Sequence, residues 1–311
     1  MSESAIEVAG LTKSFGSVTA VDHLSFSVDR GEIFGLVGPD GAGKTTTVRM
    51  IAGVMRPDAG TIMVDGVDVV TDPEAVKPRV SYMPQRFGLY EDLTVDENIR
   101  FYAEIFEIPR KLRIERAERL LAASNMLQFR QRLAGQLSGG MKQKLGLTCA
   151  LIHAPRAVLL DEPTTGVDPV SRRDFWRILF GLRADGVTIL ISTAYLDEAE
   201  RCSRLALLNE GRVLHCDTPA SLKAKMPGAM LAVISPSMRD ARDLVAKLPG
   251  VENVLLVGDG IHIHVDDAAR RIPELTAALN AAGIVFEPVR QVIPSVEDLF
   301  VSLTEREEKA A

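Results

Sequence analysis

Several things are scarce in this chain, and each scarcity removes a class of function. Its three cysteines, Cys149, Cys202 and Cys216, fit no CxxC or zinc-ligand spacing. An odd, sparse set of this kind excludes a disulfide framework and suits a reducing cytosol. One tryptophan and 5% aromatic residues leave little for stacking surfaces, and there are only five histidines. His23, His153 and His215 stand apart. His262 and His264 alternate on one strand face, but no third ligand accompanies them to complete a metal site. No apolar run approaches membrane-spanning length, and the opening Met-Ser-Glu-Ser-Ala lacks the basic and apolar regions of a signal peptide. A membrane, if one matters, is expected to belong to a partner. Neither sign of charge dominates, with 36 basic against 42 acidic side chains and a net charge of −6, so no nucleic-acid partner is expected.

What is present is an ordinary core-forming composition, 46% hydrophobic and 25% charged over 311 residues, enough for one large domain and a smaller one. The most informative stretch, residues 38–46, reads Gly-Pro-Asp-Gly-Ala-Gly-Lys-Thr-Thr and fits the phosphate-binding pattern G-x-x-x-x-G-K-[ST]. Gly41 and Gly43 let the backbone curl so that its N–H groups face phosphate oxygens. Lys44 supplies a point charge for the β- and γ-phosphates, and the Thr45 hydroxyl can ligate Mg²⁺. An apolar strand candidate at 33–37 precedes the loop and a helix at 44–52 follows, which sets a helix N-terminus against the anion. A glycine-rich turn without a ligand is the plain alternative.

Alternation at 6–28 and at 61–69 suggests hairpins, and a strand from residue 80 stops at Pro84. The pattern is helical from Thr94 to about Leu147, with the charges of 111–121 read as a solvated face. Leu137-Ser138-Gly139-Gly140-Met141 interrupts it. Ser138 is a natural N-cap, and the glycines leave N–H groups uncovered at a helix start, either as a mere capped loop or as an anion receptor. The apolar run 157–160 leads into Asp161-Glu162. It reads as a strand buried on both faces whose C-terminal end, where α/β sheets hold ligands, carries two carboxylates. Residues 188–192 and 205–208 are further buried strands. Pro219, Pro227-Gly228 and Pro236 mark a boundary. Beyond it come a strand at 230–234, a helix at 239–248, strands on either side of residues 258–260, a helix at 273–282, a strand and a last helix, a compact α+β appendage.

With the loop, the Leu-Ser-Gly-Gly segment and the Asp-Glu strand end in this order, the chain resembles the ATP-binding subunits of ABC transporters. The final Pro294-Ser295-Val296-Glu297-Asp298-Leu299-Phe300 looks like the tail of drug- and antibiotic-exporter members of the type-two class. The resemblance implies an α/β fold. Its P-loop NTPase core of ABC type would combine a mainly parallel sheet, an antiparallel β subdomain and a helical subdomain at about 86–155. The core is expected over 1–222 and a small α+β accessory domain over 223–311. It implies ATP and Mg²⁺ as ligands, with Phe15 stacked on adenine and Gly38, Pro39, Asp40, Gly41, Ala42, Gly43, Lys44, Thr45 and Thr46 forming Walker A. Gln85 matches the Q-loop residue that touches Mg²⁺ and senses the membrane partner. Ser138, Gly139 and Gly140 match the signature that reaches a partner subunit's γ-phosphate. Asp161 matches the Walker B metal ligand beside Thr45 and Gln85, and Glu162 the glutamate that polarises the attacking water. Gly166-Val167-Asp168-Pro169 matches the D-loop. The implied partners are transmembrane subunits and a second ATPase subunit, in a head-to-tail dimer on the cytoplasmic face of the membrane. The implied function is ATP-driven efflux.

Three departures from the family pattern stand out. Met141 replaces a glutamine, which leaves the backbone donors intact. Asp40 stands where asparagine or serine is usual; a carboxylate about 5 Å from a phosphate charge costs on the order of 3 kcal/mol at an effective dielectric near 20. Ala194 occupies the place of the switch histidine, and Tyr195 beside it is expected to point elsewhere. Such drift resembles the weaker half of asymmetric ABC pairs, including one half of fused two-module efflux ATPases. A degenerate subunit that lends its signature to a partner ATPase is therefore the alternative function.

Overall fold

A computed structural model describes residues 4–310, with side chains described through residue 304. The long hairpin of β1 (Ser4–Phe15) and β2 (Val18–Asp29) closes at Gly16, and β3 (Ile33–Val37) leads through the glycine loop into α1 (Lys44–Ile51). β4 (Ala59–Val64) and β5 (Val67–Asp68) form the second hairpin. β4 pairs with β1, giving an antiparallel sheet in the order β2-β1-β4-β5. After α2 (Pro73–Val76) and β6 (Val80–Met83) come three helices, α3 (Val95–Ile105), α4 (Arg110–Ala123) and α5 (Gly139–Leu151). Then follow β7 (Ala157–Asp161), α6 (Pro169–Ala184), β8 (Thr188–Thr193), α7 (Leu196–Ala199), β9 (Arg204–Asn209) and β10 (Arg212–Asp217).

Six strands make the second sheet, in the order β10-β9-β3-β8-β7-β6. The pairs from β9 through β6 are all parallel. Every residue of β3, β7 and β8 is buried, as expected for strands covered on both faces. Phe26 of the antiparallel sheet stacks on Phe34 of β3, ring centroids 5.2 Å apart and planes nearly parallel, so the two sheets share one core. Because four successive strands run the same way, the C-terminal ends of β3, β6, β7 and β8 open on one edge. The helical segment is held by its caps. Thr94 and Glu97 form a reciprocal capping box on α3, and Ser138 accepts from the Met141 amide on α5. α4 buries Ala117, Leu120 and Leu121 and exposes most of its charges, with Arg113 and Arg116 half-buried.

The chain divides into two units between Cys216 and Asp217. A boundary at 222/223 would cut α8 (Pro219–Ala224). That helix is capped by Thr218, and Lys225 beyond it is tied to Asp217 at 2.8 Å, so the break falls ahead of it. The second unit continues with β11 (Ala229–Ile234), α9 (Met238–Val245), β12 (Val251–Val257), β13 (Gly260–Val265), α10 (Ala268–Ala281), β14 (Arg290–Val292) and α11 (Val296–Ala310). Its antiparallel sheet has the order β12-β13-β11-β14, a β-α-β-β-α-β arrangement over its own core. α10 starts five residues before the expected Pro273. Asp267 accepts from the Arg270 amide and fixes the start there, and the helix absorbs the bond that Pro273 cannot donate.

No group of three or more possible metal ligands is found among the described residues, and His262 and His264 each have another partner. His264 bonds to the Pro227 carbonyl oxygen at 2.6 Å. His262 donates through Nδ1 to the buried Asp298 carboxylate at 3.0 Å, and Asp298 also accepts from the amide and hydroxyl of Ser295. The bond to Asp298 raises the His262 pKa above its ordinary value, against the burial that lowers it. Burial pushes Asp298 up, but the bonds from His262 and Ser295 together hold it below the ordinary carboxylate value. A histidine raised by folding adds stability that is complete below its ordinary value and fades as pH climbs through the raised one. Thermal unfolding of the full chain should therefore shift modestly downward from about pH 6 to about pH 9, and His262→Gln should flatten that slope. An unchanged slope in the variant would refute this assignment.

Candidate functional site

The edge where the parallel strands end holds an open cavity of about 700 Å³, within the range of about 300–1,000 Å³ usual for small-molecule sites. Its walls come from the glycine loop, Phe15 at the end of β1, Gln85 after β6, Glu162 after β7, and Ala194 and Tyr195 after β8. The loop geometry is dictated by its glycines. A Cβ at Gly38 would run into the Leu208 carbonyl oxygen, and one at Gly43, where φ is 92°, into that of Ala20. Asp40, Gly41, Gly43, Lys44, Thr45 and Thr46 line the cavity. Gly38 and Pro39 lie behind, their carbonyl oxygens each accepting from Lys44 Nζ at 2.9 Å, and Ala42 is buried.

Lys44 is only 4% exposed, and Glu162 Oε1 lies 3.2 Å from its ammonium. Glu162 itself has φ 47°. Its amide donates to the carbonyl and hydroxyl oxygens of Ser192, and its Oε2 accepts from Gln85 at 3.1 Å and from Thr165 at 3.3 Å. Beneath, Asp161 is almost wholly buried. Its Oδ1 accepts from Thr45 at 2.9 Å and Ser192 at 2.7 Å, its Oδ2 from Tyr82 at 3.3 Å. Burial pushes the Tyr82 pKa up, so its hydroxyl remains a donor. Thr45 and Asp161 offer hard oxygen donors that suit Mg²⁺. Gln85, expected with that pair, bonds here to Glu162 instead.

Sequence reasoning missed Tyr82, Thr165 and Ser192. The available signal was register, since the pairing of Asp161 with Ser192 across β7 and β8 brings the hydroxyl to the carboxylate. The Tyr195 amide donates to the Thr193 hydroxyl at 3.0 Å in a tight turn, and Arg172 packs 4.5 Å from the ring centroid; Tyr195 thus joins Ala194 on the cavity wall. Phe15 is half exposed at the rim, with Lys13 Nζ 5.7 Å from its ring centre. Ser138, Gly139 and Gly140 do not line this cavity. They start α5, where a Cβ on Gly140 would meet Ser171 of α6.

A family model described as "ABC transporter" matches residues 21–165. The chain is 41% identical over 307 residues to "Probable multidrug ABC transporter ATP-binding protein YbhF" of Escherichia coli (strain K12), covering 97% of this chain and 52% of that protein. It thus spans about half the length of that relative. It is 34% identical to "Daunorubicin resistance ATP-binding protein DrrA3" of Streptomyces coeruleorubidus, covering 98% of this chain and 97% of that one. A solved "Structure of ATP binding subunit of ABC transporter" superposes with a TM-score of 0.65 at 32% identity, over 71% of this chain and 92% of that chain.

The geometry predicts binding of Mg·ATP at this cavity. In a calorimetric titration, Lys44→Ala should lower the affinity about 10- to 100-fold through loss of charged hydrogen bonds. Phe15→Ala should cost about tenfold if the ring stacks on the base. Equal affinities for wild type and Lys44→Ala would refute the site.

Proposed function

The chain belongs to the ABC transporter ATP-binding family, and from that premise we propose that it binds and hydrolyses ATP to drive an exporter of drug-like or antibiotic molecules, working on the cytoplasmic face of a membrane with transmembrane subunits. The observation that carries this reading is the glycine loop with buried Lys44 beside Glu162 and the Thr45–Asp161 pair beneath. Their arrangement on one edge supports a reading in which they act as phosphate receptor, cation site and base. Lys44 and the loop amides bind the β- and γ-phosphates, and Thr45 and Asp161 would hold Mg²⁺, which when bound spreads the phosphate charge. Glu162 orients the attacking water and takes up its proton. Gln85 and Thr165 steady its outer oxygen. Ser138, Gly139 and Gly140 serve an ATP held by a second ATPase subunit, the start of α5 being the kind of helix N-terminus that favours an anion.

The membrane contact is assigned to a groove of about 430 Å³ near the helical segment, lined by Phe87, Tyr102, Ile105 and Phe106 among others. Ile105 and Phe106 are exposed hydrophobics there. No helix among the described residues is long and apolar enough to cross a membrane. Names of similar proteins support multidrug or daunorubicin resistance as the kind of export.

A second reading is favoured by Ala194, which puts a methyl group on the cavity wall where a side-chain donor to the γ-phosphate is expected. In it the chain is the weaker member of a heterodimer and lends its signature to a better site. The half-length match to the Escherichia coli relative accords with a two-module arrangement. Loss of one preorganised donor typically costs about 10²–10³ in rate. Three samples decide between the readings: the chain alone, Ala194→His, and the chain with a partner ATPase bearing its own switch histidine. The asymmetric reading expects low, higher and highest turnover, with Ser138→Arg abolishing the partner's gain. Robust turnover by the unmodified chain, unchanged by Ala194→His, would defeat it and leave the homodimeric ATPase.

A further inference from the structure

Behind the cavity wall lies a buried polar cluster that the reaction scheme does not use. Glu198, on α7, is 0% exposed. Its two oxygens are claimed by two different threonines, Oε1 by the Thr164 hydroxyl at 2.8 Å and Oε2 by the Thr193 hydroxyl at 2.9 Å. Thr164 immediately precedes Thr165, whose hydroxyl holds Glu162. Thr193 immediately precedes Ala194. One carboxylate therefore bridges the loop that carries Glu162 and the segment that brings Ala194 and Tyr195 to the cavity wall. Arg172 of α6 completes the cluster from a third side. Its Nε has no hydrogen-bond partner and sits 3.9 Å from Glu198 Oε1, while Nη1 reaches Asp197 at 3.4 Å and the guanidinium covers the Tyr195 ring.

Stability alone does not ask for this arrangement. A buried charged cluster is often no more stabilising than apolar side chains of the same volume, whereas fixed bonds impose one geometry. We propose that Glu198, with Thr164 and Arg172, is a positioning residue for hydrolysis. It locks the loop 162–168 against the segment 193–197, so that Glu162 stays aimed into the cavity and Tyr195 stays on its wall. The inference rests on the hydrolytic reading above.

The test uses the full chain and radiolabelled Mg·ATP under single-turnover conditions with protein in excess, beside calorimetric ATP affinity. Thr164→Val and Glu198→Gln should slow the chemical step about tenfold, the lower end of what loss of an outer-shell hydrogen bond typically costs, with affinity nearly unchanged. Thr164→Ser, which restores the hydroxyl, should restore the rate. In a Glu162→Gln background the same substitutions should cost nothing further, because they act through Glu162. Unchanged rates in both variants, or losses just as large in the Glu162→Gln background, would overturn the proposal while leaving the ATPase reading intact. Should Glu198→Gln fail to fold, the near-isosteric Thr164→Val carries the test. A chain that binds ATP yet releases no phosphate, even as Ala194→His, would overturn the hydrolytic reading itself and this proposal with it.

Discussion

Everything at the functional edge depends on accommodating one buried ammonium. Lys44 is the first residue of α1, where the aligned peptide dipoles already present positive charge, and the first turn of that helix carries no acid to offset it. A cation in that place is held only by what surrounds it: two loop carbonyl oxygens and Glu162. Polyphosphate would satisfy the helix start and the lysine together. It would also compete for the lysine with Glu162, releasing that carboxylate for a different partner. The contacts that hold Lys44 therefore also set it where an anion would be received.

The sheet makes this placement possible. Parallel pairing of β3, β6, β7 and β8 brings four chain segments, distant in sequence, to the same edge with no adjustment beyond register. Each then supplies a different chemistry: loop amides and ammonium, amide side chain, paired carboxylates, hydroxyls. The all-buried strands behind them form a stiff backing, with the Phe26–Phe34 stack joining the second sheet to it. Loops carry the chemistry, and close-packed strands set where it points.

Much of this was legible in the residues because some chemistries admit few substitutes. Only glycine fits beside the Leu208 and Ala20 carbonyl oxygens, so the loop announces itself by spacing. An apolar run ending in two acids can be read for the same reason, and so can Ser138 as a cap. Hydroxyls were harder. Ser192 and Tyr82 look like ordinary strand residues until pairing sets them against Asp161. The turn that brings Tyr195 beside Ala194 at the cavity rests on the Thr193–Tyr195 hydrogen bond, which no residue pattern announces. The start of α10 was obscured by a proline that a helix can tolerate when its cap lies upstream.

The central position of β3 has a consequence for synthesis. Both its neighbours come from far downstream, Ile33 pairing with Ile189 of β8 and Phe34 with Arg204 of β9. At about 5–20 residues per second, the ribosome needs roughly ten to thirty seconds after β3 emerges to deliver them. For that interval five residues destined for complete burial have no strand to pair with, although the β1–β2 hairpin can already form. The phosphate loop cannot take its final shape either, because Leu208, which crowds Gly38, has not yet been made. A nascent chain of this protein is thus a prolonged client for whatever shields unpaired strands near the exit tunnel. A ribosome stalled before β8 would hold a chain in which β3 has neither of its neighbours.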